Sequence, residues 1–324
     1  MNQGLNSVTG QSALKELLAK SIDSARLSHA YIFEGDSGMG KKTLAYAFAR
    51  QLVCENKTAC GQCRSCRLAL SANHPDIITV TPEEGKQTIS VDIVRGLYET
   101  VMTKPFSADK KIIIIPDAEK LVVQAQNALL KMLEEPPSYI IFILLTSNSN
   151  FFLETILSRC IKLSFQPYTE EEIRTVLSSK GITDIPDAAL CFADGNCGKA
   201  FSLVSGGSFL ELRSRLAELF GLFFEDNTKL FDIISFIEEN KDVAEDIFDI
   251  LLSFARELTM CHLCRENVTG SGFIAADYLA QTSLKGCMAF LDKVIEYKKM
   301  LLSNVNYSLL VNSFVLGSKE VLGW

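Results

Sequence analysis

The sequence predicts an α/β domain built on a parallel sheet, followed by an all-helical C-terminal half, and three observations carry that prediction. Short apolar runs at 30–34, 112–115 and 140–145 alternate with stretches of helical periodicity, as in a sheet covered on both faces by crossover helices. A glycine-rich turn, Gly35-Asp36-Ser37-Gly38-Met39-Gly40-Lys41-Lys42, separates the first of those runs from a helix. Beyond Pro167 the strand signals stop and apolar residues recur at helical spacing. A chain of 324 residues exceeds a single core, and we read three parts: 1–166 with a cysteine-rich insert at 54–66, 167–206, and 207–324.

Taken in order, residues 12–27 have the periodicity of a helix (Leu14, Leu17, Leu18, Ile22, Ala25), and 30–34 form a strand that ends in the glycine turn. A helix resumes at Lys41–Val53. After the insert come a strand at 77–80 and a helix at Val91–Met102. The buried strand 112–115 precedes an amphipathic helix at 122–134, which Pro136-Pro137 stops. A further buried strand, 140–145, leads to Thr146. Thr169 and Glu172 form a capping box that opens a helix at 169–180, and a short helical unit ends near Gly206-Gly207. The remainder reads as helices at 210–224, 228–240, 243–263, 284–302 and 307–322.

Composition narrows the function classes. A net charge of −7 argues against a surface coated for nucleic acid, and no aromatic–basic stripe suggests a stand-alone nucleic-acid module. No run approaches the roughly 18–20 apolar residues of a membrane span, and Met1-Asn2-Gln3-Gly4 does not open a signal peptide, so a cytoplasmic address is expected. In that compartment ten cysteines are not expected to form structural disulfides.

The turn at 35–42 has the spacing of a phosphate-binding loop. In G-x-x-x-x-G-K-[ST] the glycines let backbone N–H groups wrap the phosphates, the lysine neutralises charge and the next hydroxyl takes the metal. Gly35, Gly38, Gly40 and Lys41 fit, but Lys42 replaces the hydroxyl. Thr43 lies about a quarter turn further round the helix, a poor substitute. The cradle and Lys41 are compatible with passively held ATP or ADP; Mg2+ is not expected.

Cys54, Cys60, Cys63 and Cys66 place four thiols within thirteen residues. Two Cys-x-x-Cys steps sharing Cys63, with Cys54 at the end of the preceding helix, suit a tetrahedral Zn2+ site better than redox thiols. Four thiolates leave no open position, so the ion is expected to be structural. Arg64 and Arg67 beside it read as a solvated face. The pair Cys261 and Cys264 lies in helical sequence without a second pair, and Cys191, Cys197 and Cys287 read as small buried hydrophobes. His29 and His74 read as structural.

The loop, the four-cysteine insert, Asn127-Ala128-Leu129-Leu130-Lys131-Met132-Leu133-Glu134-Glu135-Pro136-Pro137 and Ser158-Arg159-Cys160 together resemble the clamp-loader branch of the AAA+ proteins, over about residues 10–206. The resemblance implies a P-loop domain with a parallel sheet, a small helical lid and an oligomerising helical collar. It implies partners as well: gamma/tau and delta clamp-loader chains within the DNA polymerase III holoenzyme and, through the assembly, the beta sliding clamp and primer-template DNA.

The family's motifs also locate a catalytic set. ATP hydrolysis needs a metal, a water-orienting carboxylate and cationic stabilisers. The Asp-Glu pair that should follow the strand at 112–115 is Pro116 and Asp117, with Glu119 beyond it. The sensor-2 arginine is matched by Gly198, with Lys199 next to it. Thr146 matches sensor 1, and Arg159 matches the arginine finger offered to a neighbouring subunit. The losses fall on the chain's own site while the group that serves a neighbour is kept. The resemblance therefore implies a non-hydrolysing subunit with weak or absent ATPase. The alternative is a gamma/tau-type ATPase motor, which would rebuild its metal site from Thr43 and Asp117.

Overall fold

The structure, a computed structural model, describes residues 4–205, 208–225, 230–264, 282–301 and 305–322. Its contacts divide the chain into two compact units, Met1–Val176 with Asn196–Gly198, and Leu177–Gly195 with Lys199–Trp324.

In the first unit, α1 (Ser12–Asp23) precedes β1 (Ala30–Glu34), and α2 (Lys41–Val53) follows the glycine loop. Helix α1 stops four residues earlier than its periodicity suggests. The Ser24 N–H bonds back to Lys20, and Ala25 takes a left-handed φ of 55°, which ends the helix although Leu27 continues the apolar spacing. The short helix α3 (Arg64–Leu70) lies inside the cysteine insert. Then come β2 (Ile77–Thr79), α4 (Val91–Met102), β3 (Lys111–Ile115), α5 (Val123–Glu134), β4 (Ile140–Thr146), α6 (Glu154–Leu157), β5 (Ile161–Ser164) and α7 (Glu170–Ser179). The capping box at α7 forms as expected: the Thr169 N–H donates to Glu172 Oε2 at 2.9 Å, and the Glu172 N–H to Thr169 Oγ1 at 3.3 Å.

The five strands pair in parallel in the order β2-β3-β4-β1-β5. Every residue of β3 and β4 is buried, which accounts for their unbroken apolar sequences. On one face Ile113, Phe142 and Leu144 pack with Val94 and Leu97 of α4 and Leu129 and Leu133 of α5. Phe48 of α2 meets Tyr31 of β1 edge-on, with ring centroids 5.6 Å apart. A buried carboxylate fixes the loop between α4 and β3, because Asp76 accepts backbone N–H groups from Phe106, Ser107 and Ala108 at 2.6, 2.8 and 3.0 Å. Burial works to raise the pKa of Asp76, but those donors outweigh it and lower it. His74 is structural, its Nδ1 accepting the Asp76 N–H at 3.0 Å.

The second unit contains α8 (Asp187–Ala193), most of α9 (Cys197–Ser205), α10 (Ser208–Glu225), α11 (Leu230–Glu239), α12 (Ala244–Cys264), α13 (Leu284–Leu301) and α14 (Tyr307–Leu322). Phe248, Phe254, Phe290 and Phe314 lie at its centre. Asp249 on α12 joins Lys298 of α13 and, at 2.9 Å, Lys199 of α9. Cys197, Cys261 and Cys287 are buried, in line with a packing role. The side chains of Cys191 and Cys264, the Gly206-Gly207 break and the expected helix ends at Thr228 and Leu302 lie outside the described residues. Among the described residues no helix is long and apolar enough to cross a membrane.

Candidate functional site

The glycine loop joins the C-terminal end of β1 to α2, the strand–loop–helix context its spacing requires. Gly40 caps α2 with a left-handed φ of 78°, and Gly38 has φ 87°. Gly38 is close-packed as well: a Cβ there would lie 2.5 Å from Asn196 Oδ1, and one on Gly198 would lie 2.4 Å from Gly38 Cα. Two hydrogen bonds tie the segments, from Gly198 N to Gly38 O at 3.0 Å and from Asn196 Nδ2 to Ser37 O at 2.7 Å. Gly198 thus rests its backbone on the glycine loop, leaving no room there for a side chain. Lys199 beside it is paired with Asp249.

Lys41 is turned onto its own loop, donating to the carbonyls of Gly35 and, at 2.8 Å, Asp36. Burial lowers its pKa, and the carboxylates of Glu119, Asp36 and Asp117 work against that. Lys42 and Thr43 are exposed. Asp117 pairs with Lys120 at 3.4 Å. Thr146 is fully buried, and its hydroxyl donates to Asn148 O at 2.9 Å while accepting the Asn148 N–H at 3.2 Å. That hydroxyl shapes the turn after β4. A groove of about 940 Å³ between α4 and α5 contains none of these loop residues.

The insert brings its four cysteines together, with all four sulfurs within 4.8 Å of one another. Cys54 Sγ lies 3.8 Å from Cys60 Sγ, which lies 3.9 Å from Cys66 Sγ. Bonds of about 2.3 Å to a tetrahedral ion put neighbouring sulfurs about 3.8 Å apart, close to those two separations, so the donor set fits such an ion. The Cys63 N–H points to Cys60 Sγ and the Cys66 N–H to Cys63 Sγ, both at 3.4 Å, and these contacts favour thiolates. Burial raises the pKa of Cys54, but backbone N–H groups of Cys60, Asn56 and Thr58 outweigh it and bring the thiol to about 6. Burial, Cys63 and Cys54 push Cys66 upward.

Arg159 follows α6. Its Nη1 donates to Thr155 O at 2.9 Å and to Ser158 Oγ at 3.2 Å, and its Nη2 lies 3.1 Å from Glu134 Oε1 at the end of α5. Burial pushes the neighbouring Cys160 thiol up to about 12, which leaves it protonated and inert.

A family model described as DNA polymerase III, delta subunit matches residues 10–169. Over nearly its whole length the chain is 30% identical, across 320 residues, to DNA polymerase III subunit delta' of Bacillus subtilis (strain 168), covering 96% of this chain and 96% of that protein. The chain belongs to the DNA polymerase III delta' family. The delta' subunit of Escherichia coli (strain K12) is 36% identical over 200 residues, 60% of each chain. A gamma/tau subunit from Mycoplasma genitalium is 31% identical over 229 residues, 69% of this chain and 38% of that protein. Among solved structures, a DNA polymerase III gamma subunit-related protein of Thermotoga maritima superposes with a TM-score of 0.50 at 18% identity, covering 95% of this chain and 98% of that one, a likeness of fold.

Two further carboxylates of this delta' family chain carry no motif signal. Glu34, the last residue of β1, accepts the Ser149 N–H at 2.7 Å and pairs with Lys162 of β5 at 2.7 Å. Burial works to raise its pKa, yet Lys162 and Ser149 together pull it down to about 2. Glu119 has a buried Oε2 with no hydrogen-bond partner among the described residues, and it heads the carboxylates acting on Lys41. Its place depends on the 3-10 turn Ala118–Lys120, which spacing from the strand does not reveal.

Proposed function

We propose that this chain is a non-hydrolysing subunit of the DNA polymerase III clamp loader. In this reading it supplies Arg159 to the nucleotide of an adjacent gamma/tau subunit. Residues 1–166 form the AAA+ domain, 167–206 the lid and 207–324 the collar that joins it to gamma/tau and delta. Through that assembly it helps place the beta clamp on primer-template DNA in the cytoplasm. Cys54, Cys60, Cys63 and Cys66 hold a structural Zn2+, which fixes the insert and takes no part in chemistry.

The observation that carries the reading is the state of the chain's own site. Lys41 is spent on the loop's carbonyls, Gly198 rests against Gly38, and Pro116 and Lys42 stand where metal ligands belong. Such a loop is a scaffold that neither binds Mg2+-ATP productively nor turns it over. The motor alternative needs Thr43 and Asp117 to rebuild the metal site, whereas Asp117 is paired with Lys120.

The test has two arms. The purified chain is expected to show no ATP turnover; robust hydrolysis would return it to the motor class. In an assembly reconstituted with gamma/tau and delta, Arg159→Ala is expected to lower DNA-stimulated turnover by up to the ~10³-fold lower bound for arginine fingers. An assembly that keeps its rate with Arg159→Ala would remove the finger.

A further inference from the structure

Arginine fingers act by geometry, because a guanidinium adds to the rate only when its N–H groups meet charge developing at the transferred phosphoryl group. The segment that carries Arg159 is fastened to α5 at two places. Gln126, 3% exposed, donates to Leu121 O and, at 3.0 Å, to Phe151 O, and it accepts the Leu153 N–H at 3.0 Å. These bonds fix the approach to α6. At the far end of α5, Glu134 takes Nη2 of Arg159 at 3.1 Å, while Nη1 is held by Thr155 O and Ser158 Oγ.

We infer that Glu134 is the positioning residue of the arginine finger. It presets the guanidinium plane so that the side chain reaches the neighbouring subunit's nucleotide already oriented. This inference rests on the reading of Arg159 as a group that acts in trans. Nη1 makes both of its hydrogen bonds within the chain and Nη2 rests in the ion pair with Glu134, so the guanidinium is held on one side and its Nε edge is the side turned to a phosphate. An ion pair this exposed, with the two side chains 35% and 50% accessible, contributes little to stability, so the pair is poorly explained as a fold-stabilising device. For the same reason Glu134 is a weak competitor against a phosphate. What it does supply is loss of rotamer freedom before assembly, in a side chain that otherwise has several rotatable bonds to order.

The experiment uses the reconstituted assembly and DNA-stimulated ATP turnover, with incorporation of each variant checked by size-exclusion chromatography. Glu134→Ala is expected to lower kcat about 5-fold, the most that an ion pair this exposed supplies. The KM for ATP should stay unchanged, since the finger acts on the transition state. Glu134→Gln keeps an oxygen acceptor for Nη2 and should stay within about 3-fold of the parent. The double variant Glu134→Ala/Arg159→Ala should be no slower than Arg159→Ala alone, because the first residue acts only through the second. If Glu134→Ala matches or exceeds the parent rate while Arg159→Ala is slow, this inference alone is overturned. A further loss in the double variant has the same effect. An Arg159→Ala assembly at the parental rate overturns the in-trans reading and this inference with it.

Discussion

Replacing Gly198 by alanine puts the packing of residues 196–198 on the glycine loop to a direct test. The new Cβ would stand 2.4 Å from Gly38 Cα and 3.2 Å from the Gly38 carbonyl carbon and oxygen. Carbon atoms in contact sit about 3.5–4.0 Å apart, so the two backbones must separate by about an ångström or more. None of these atoms belongs to a flexible side chain that could swing aside. The cheapest relief is to undock 196–198 from the loop, losing the bonds from Gly198 N to Gly38 O and from Asn196 Nδ2 to Ser37 O. At about 0.5–1.5 kcal/mol each, that loss is about 1–3 kcal/mol. Alanine's helical preference in α9 returns at most about 1 kcal/mol. The expected result is faster amide exchange at 35–40 and 196–199, a modest fall in the unfolding midpoint, and little change in the sheet. Hydrogen exchange by mass spectrometry on parent and variant reads all three. Unchanged protection in both segments would refute the contact.

Two further outcomes are expected. Purified chain should carry one zinc per molecule by elemental analysis, and chelation or Cys60→Ser should melt the region 54–70, where metal binding supplies on the order of 10 kcal/mol of local folding energy; metal-free protein with full protection there would contradict the assignment. Glu34 ionises at about 2 when folded against 4.5 in its unperturbed state, so its stabilisation is complete above about pH 5 and is lost as pH falls toward 2. After allowance for solvent screening the effect is about 2 kcal/mol, of which a little over half is lost between pH 7 and 3, and the urea midpoint of Glu34→Gln should be less steep over that range by that amount.

How much of this was legible beforehand depended on how local the cause was. Helices α2 and α14 fall where periodicity places them, and the α7 capping box forms from Thr169 and Glu172, because in each case the deciding interactions lie within a few residues. The cysteine cluster was readable for the same reason. Helix α3 was not, since its cap is the Cys63 sulfur accepting the Cys66 N–H, a role that spacing assigns only to metal binding. Strand β5 carried no apolar run because it is an edge strand with one buried residue in four. At the candidate site, the sequence itself holds Lys42, Pro116 and Gly198 where the resemblance expects a hydroxyl, an aspartate and an arginine. The turning of Lys41 onto its own loop, the grip of Glu134 on Arg159 and the approach of Glu119 to Lys41 could not. Each joins elements distant in sequence, or side-chain geometry that only the folded chain defines.

The strand order has a consequence for biosynthesis. β1 pairs with β4, Ala30 opposite Phe142, so the central ladder of the sheet cannot close until more than a hundred further residues have been made. At about 5–20 residues per second, that interval is on the order of ten seconds. Throughout it Tyr31, Ile32 and Phe33, all fully buried in the finished sheet, have no partner strand on the nascent chain and are exposed to aggregation. The cysteine insert is made within that interval, and its four neighbouring sulfurs come from thirteen consecutive residues, so their approach does not wait for β4.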